Sequence, residues 1–317
     1  MKKKENYSFP DFLYFFNKTK PIVHFIITIG LLVYFVSANL LFNHNGFSTL
    51  FLAERAGIFL GFIVMLFILN FIIQKNNLTQ NNSYALLIVA LLLGTFYETM
   101  FSNVLLFTNI ALLLGFRKVY SLRSGTNTKQ KLFDAGFWVG ISALIDPWSI
   151  FYVALIYLAI LIYQKMDLRN IFIPLIGIAT PVFIFFTYCF YFDNLELFYG
   201  SWMFNPNLDF GNYNQFKYLM PIAFLLTLLI WSIVVLTPKI GTEGINVKRS
   251  WRLVLNHLLI SVFIIISSPV KNGSELFYMV FPLSIIVANF LKKSATKSFK
   301  NLILYFILAI SIVVYFL

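Results

Sequence analysis

Three carboxylates stand where apolar sequence breaks. Glu98 sits inside the polar interruption 94–103 of an apolar run over 84–116. Glu54 opens a second apolar run with Arg55 beside it, and Asp146 precedes Pro147 between two more. An ionisable group at the edge of hydrocarbon is expensive to keep and is a functional suspect by default. Such a carboxylate could act as a general base, a proton carrier or a metal ligand. Each also has a bland explanation. Glu98 could be a solvated loop acid, Glu54 could complement a helix dipole, and Asp-Pro is an ordinary turn pair. We take Glu54, Glu98 and Asp146 as the candidate catalytic acids.

Four further residues are candidates for binding a substrate. Arg55 would pair with a phosphate. Lys271 lies four residues before Glu275 and reads most simply as half of a surface pair. Tyr199 and Trp202 belong to an outer aromatic loop, 193–217, in which rings alternate with Asn and Asp. That mixture suits stacking on a sugar, although aromatics also gather at membrane interfaces without further purpose.

The elements that position these groups are membrane helices. Of 317 residues, 60% are apolar and only 11% are charged, where a soluble domain is nearer a quarter charged. The runs are apolar on every face, which excludes the alternating pattern of an outer-membrane barrel. The expected fold is all-α: a single membrane domain over 1–317, a polytopic bundle of about 11 spans (range 9–12). Expected spans cover 22–42, 56–73, 84–96, 104–116, 133–145, 148–163, 171–192, 218–236, 253–267, 276–291 and 301–317. The arms flanking Glu98 have 13 residues each, short of the roughly 20 that cross a bilayer. Paired short segments of this kind also point to binding sites in transporters. Residues 1–20 form a basic, aromatic segment expected to lie along the membrane surface.

Charge orients the bundle. With a cytoplasmic N-terminus, the inner loops hold 21 Lys and Arg and the outer loops hold three, Arg55, Lys217 and Lys271. This is a strong positive-inside bias. It gives the net charge of +12 a topological cause and removes the argument for nucleic acid as a partner. Seven acids fall outside, among them Glu54, Glu98 and Asp146 at the tips or entrances of successive hairpins, where they could converge.

Other chemistry is sparse. His24, His44 and His257 are scattered and form no metal-binding pattern. Cys189 is the only cysteine, so no intramolecular disulfide forms. There is no phosphate-binding glycine loop and no paired-cysteine motif. No cofactor is expected, and the outer acids leave room for a divalent metal. Asn39, Asn70, Asn109 and Asn289 lie in or near spans and are expected to bond between helices.

The stretches 75–85 (KNNLTQNNSYA) and 131–138 (KLFDAGFW), with the spacing of the spans, resemble an uncharacterised family of integral membrane proteins of Bacteroidota-type bacteria. That resemblance implies a bacterial inner membrane. A looser similarity is to membrane glycosyltransferases of the GT-C class, whose many spans carry an outward acidic site and use polyprenyl-phosphate sugars. It implies a lipid-linked substrate handled by Glu54, Glu98, Asp146 and Arg55. The chain departs from that class in its first outer loop, 43–55, which is too short for the usual pair of surface helices. The alternatives are a non-catalytic subunit that binds a membrane protein partner in an envelope complex, or a transporter. A transporter would want ionisable groups near midplane rather than at the surface.

Overall fold

The computed structural model describes residues 16, 20–42, 48–293 and 297–317. Most of the basic aromatic segment 1–20, most of the first loop including His44, and part of the linker 292–300 lie outside these residues. The described chain is helical, with no strand. The helices in order are α1 (Pro21–Phe42), α2 (Thr49–Lys75), α3 (Tyr84–Thr95), α4 (Asn103–Ser121), α5 (Thr128–Ile145), α6 (Val153–Ile162), α7 (Leu168–Tyr191), α8 (Leu195–Gly200), α9 (Phe216–Gly241), α10 (Ile245–Ser267), α11 (Phe277–Lys293) and α12 (Lys297–Val313).

Each of the eleven expected spans corresponds to one helix, with the 3₁₀ turn Pro147–Tyr152 leading into α6. Among the described residues, eight helices are long and apolar enough to cross a membrane. The remaining three are α3, α5 and the Pro147–Ile162 segment. With 12 residues, α3 rises only about 18 Å against the ~30 Å of a hydrocarbon core. The helix α8, inside the outer aromatic loop, has no counterpart among the expected spans. Its six residues are too short for a hydrophobic period to stand out.

Burial sorts the helices into a centre and a shell. Every residue of α3 is buried, and so is 94% of the apolar window around α11, against 17% for α7. The pair α3 and α11 therefore forms the core. The helices α1 and α12 close on α3, and α9 and α10 close on α11. Large apolar side chains such as Phe25, Phe67, Phe183, Ile184 and Trp231 point outwards from the shell. Water would make that surface untenable, whereas lipid tails solvate it. The protein is a multi-pass membrane protein.

Two helices touch at backbone level. A Cβ on Gly136 of α5 would lie 2.2 Å from the Pro174 carbonyl oxygen of α7, and one on Gly177 would lie 2.4 Å from the Phe133 carbonyl oxygen. Gly140 faces Pro181 at 2.7 Å. Small residues spaced by four allow this close packing, which supplies van der Waals contact where lipid leaves little hydrophobic drive.

The intramembrane asparagines behave differently from expectation. Asn39 donates to Phe35 O and Asn109 donates to Leu105 O, each within its own helix. Asn289 reaches another segment, donating to Leu78 O at 2.8 Å as well as to Ile285 O. A short amide finds the carbonyl four residues back before it finds a neighbouring helix.

Candidate functional site

Glu98 lies in the 3₁₀ turn Tyr97–Met100 between α3 and α4. The turn is set by its polar residues. Thr95 donates to Leu91 O and closes α3. Thr99 donates to Phe96 O, and Ser102 accepts from Leu105 N to start α4. Opposite stands the 3₁₀ turn Ser274–Leu276, which opens α11. Gly273 before it has φ +93°, a left-handed conformation that glycine adopts freely. A Cβ there would lie 2.9 Å from the Tyr218 ring and 3.4 Å from Glu98 Oε2. Glycine therefore lets three segments meet around one carboxylate.

The two oxygens of Glu98 are treated differently. Oε1 accepts from Tyr218 Oη at 2.5 Å and faces Lys217 Nζ at 3.4 Å. Tyr218 Oη also contacts the Asn272 carbonyl oxygen at 2.9 Å. Lys217 Nζ donates to Tyr97 Oη at 3.3 Å. Burial, and next the Glu98 charge, push the Tyr97 phenol above its ordinary pKa. Oε2 is enclosed and, among the described residues, has no hydrogen-bond partner. One oxygen is thus anchored and the other is free.

Glu98 forms part of the walls of two adjoining pockets, which also share Phe101 and Asn272. The first, of about 540 Å³, has Gln215, Lys217 and Tyr218 on its polar side and Phe42, Val314 and Leu317 on its apolar side. Tyr97 stacks on Phe42 with ring centres 4.0 Å apart, tying the turn to α1. The second, of about 410 Å³, is bounded by the Asp146 turn and by Ser268, Pro269 and Val270.

Asp146 has two duties. Its Oδ1 accepts from Trp148 N at 3.2 Å and caps the following turn. Its Oδ2 accepts from the Tyr278 phenol. Burial raises the Asp146 carboxyl above the usual aspartate range, and these two donors oppose the rise. Glu98 and Asp146 therefore come together at the second pocket, as two of the three hairpin acids.

Glu54 does not join them. It is exposed and accepts from Asn103 Nδ2 at 3.3 Å. Arg55 packs over the Phe51 and Phe101 rings, with its guanidinium carbon 5.2 and 5.6 Å from their centres. It packs against Phe101, with Nε and Nη1 enclosed and without partners among the described residues. Tyr199 is exposed and Trp202 half-buried, and neither lines these two pockets.

Lys271 and Glu275 are not a surface pair: only 4% and 0% of their surfaces are exposed. Lys271 Nζ donates to Ile265 O at 2.5 Å and Ile266 O at 2.9 Å, capping the end of α10. Glu275 accepts from the Tyr213 phenol and from Gly273 N at 3.0 Å. Burial and then the Glu275 bond raise the Tyr213 phenol. The loop is pinned by Asn212 donating to Lys271 O at 2.9 Å and by Phe204 packing edge-on to Trp148. An i, i+4 spacing counts as a surface pair only on a continuous helix. Here the residues between form a turn, with Gly273 left-handed, and both side chains fold inwards beneath that loop.

Tyr218, Tyr278 and Asn272 carry no signal in the sequence, and Tyr213 stands out there only as part of the outer aromatic loop. Each carboxylate of the cluster, Glu98, Asp146 and Glu275, holds a tyrosine from a distant segment, and spacing along the chain carries no trace of such pairs. Lys217 was visible as one of three outer cations. Among the described residues, no three His, Cys, Asp or Glu side chains come close enough to share a metal ion.

A family model described as Family of unknown function (DUF6427) matches residues 12–317. The chain belongs to this family. No curated protein and no solved structure matches it. The DUF6427 match spans α1 to α12, so every segment of the carboxylate cluster falls inside the matched region.

Proposed function

We propose that this end of the bundle faces outwards from a bacterial inner membrane and transfers a glycosyl group from a polyprenyl-phosphate-linked donor, in the manner of GT-C enzymes. One observation carries the reading: Glu98 lines both pockets, with Oε1 anchored by Tyr218 and Oε2 unpartnered among the described residues. That is the posture of a general base. The Glu98 carboxylate takes the proton of an acceptor hydroxyl as the acceptor oxygen bonds to the sugar C1. The C1–O bond to phosphate breaks, and the phosphate leaves with the electron pair. Lys217, the cation on the first pocket, balances that charge. The apolar side made by Phe42, Val314 and Leu317 suits the start of a prenyl chain. Asp146, tied to Tyr278, orients the acceptor in the second pocket.

The test is mass spectrometry of lipid-linked glycans in a deletion strain complemented with wild-type protein or with Glu98→Gln. The reading predicts that one polyprenyl-linked species accumulates in the deletion strain and in Glu98→Gln alike. An unchanged lipid-linked pool in the deletion strain would refute glycosyl transfer and favour a non-catalytic subunit.

A further inference from the structure

A further concavity, of about 610 Å³, lies at the opposite end of the bundle, reached along α4 from Asn103 to Ser121. Its walls carry Lys75 at the end of α2, Arg117 and Lys118 near the end of α4, Arg123 in the turn Leu122–Ser124, and Lys131 in α5. The rest of the wall is Ser, Thr, Asn and Gln, with no apolar side chain. Among the described residues, one ion pair offsets these charges, Lys118 to Asp134 at 2.6 Å.

Among the described residues, the other four cations bond to or pack on neutral or aromatic groups and pair with no carboxylate. Arg123 donates to Asn76 O at 2.8 Å. Lys131 donates to Ser121 O at 2.8 Å and to Ser124 Oγ at 2.7 Å. Lys75 and Arg117 lie over the same Phe71 ring, at 5.2 and 4.7 Å from its centre. Phe71 is on the exposed apolar surface, which sets this edge of the pocket at the level of lipid headgroups.

Topology accounts for cations at this end, and a helix dipole accounts for one in a last turn. Neither accounts for five cations drawn from four segments onto one polar cavity with one carboxylate among them. Such convergence raises the local potential and is relieved by a multiply charged anion. Basic pockets between membrane helices recognise phosphate headgroups in this way. We propose that this pocket binds a phosphate group at the membrane surface, carried by an anionic phospholipid or by a soluble phosphate compound.

The experiment uses the full chain in lipid nanodiscs. One arm measures retention of phosphatidylglycerol by native mass spectrometry, in discs of mixed phosphatidylcholine and phosphatidylglycerol. The other titrates inorganic pyrophosphate by calorimetry into discs of phosphatidylcholine alone. The variants are Lys75→Gln with Arg117→Gln, whose side chains make only ring contacts, and Lys129→Gln, an exposed lysine outside the pocket. Loss of two charge-assisted bonds predicts that the double variant weakens binding about tenfold or more, while Lys129→Gln leaves it unchanged. A response in the phosphatidylglycerol arm alone assigns a lipid headgroup, and one in the pyrophosphate arm alone assigns a soluble ligand. Failure of the folded wild-type protein to bind either probe overturns the proposal. So does equal weakening by Lys129→Gln.

Discussion

The bond between Tyr218 and Glu98 is the most exacting feature of the candidate site, and a double-mutant cycle tests it. Tyr218→Phe removes one hydroxyl and leaves the ring in place. Glu98 Oε1 then keeps only Lys217 at 3.4 Å, and the Asn272 carbonyl loses its contact at 2.9 Å. A hydrogen bond to a charged group contributes about 1.5–3 kcal/mol and a neutral one about 0.5–1.5 kcal/mol. Only 13% of the Glu98 side chain is exposed, so solvent screens the first of these weakly. The phenol has one proton to donate, so the Glu98 bond dominates and Tyr218→Phe should cost about 1.5–3 kcal/mol. Glu98→Ala removes the same bond from the other side, so the two changes together should cost less than their sum by about 1.5–3 kcal/mol. The protein carries its own reporter. Cys189 is the only cysteine and is fully buried, so a thiol-reactive dye follows unfolding directly. Denaturant titration of the four proteins in detergent gives the coupling. Strict additivity, within about 0.5 kcal/mol, would refute the claim that Tyr218 holds Glu98.

Gly177→Val should separate α5 from α7 and cost at least about 3 kcal/mol, because its Cβ would lie 2.4 Å from a carbonyl oxygen. Gly57→Val, with open space around it, should be nearly neutral by the same dye assay. Asp146 binds its proton more tightly when folded than the unfolded reference of 3.8. Its stabilising contribution is then fully present below that reference and is lost as pH rises through the folded pKa. Melting temperature should fall across that window in the wild-type protein relative to Asp146→Asn. Equal pH profiles for the two would contradict the burial argument. Reporter fusions at Ser124 and Asn207 should report opposite sides of the membrane, since one belongs to the basic pocket and the other bonds Pro269 beside the acidic one.

Much of the fold was legible because lipid imposes simple rules. A segment of the right length and apolarity has to be a helix, and loop charge sorts the ends. The break around Glu98 was legible for the same reason, and so was the meeting of Glu98 with Asp146 at one end. What stayed hidden depends on tertiary geometry. Glu54 and Glu98 look alike as hairpin acids, yet one is solvated and the other is gripped by Tyr218. Lys271 looks like a surface cation, yet it turns back to cap α10. The approach of α5 to α7 depends on Gly136 and Gly177, and nothing along the chain says which glycines face a neighbour.

The most direct test of the central claim is complementation by Glu98→Gln in a strain with a deletion phenotype. The amide keeps the shape of the side chain and can still accept from Tyr218, but it cannot take a proton. Its folding is checked by the reactivity of Cys189. A folded Glu98→Gln protein should fail to complement, while an exposed-site control, Glu54→Gln, should complement fully. Full complementation by Glu98→Gln would contradict that claim.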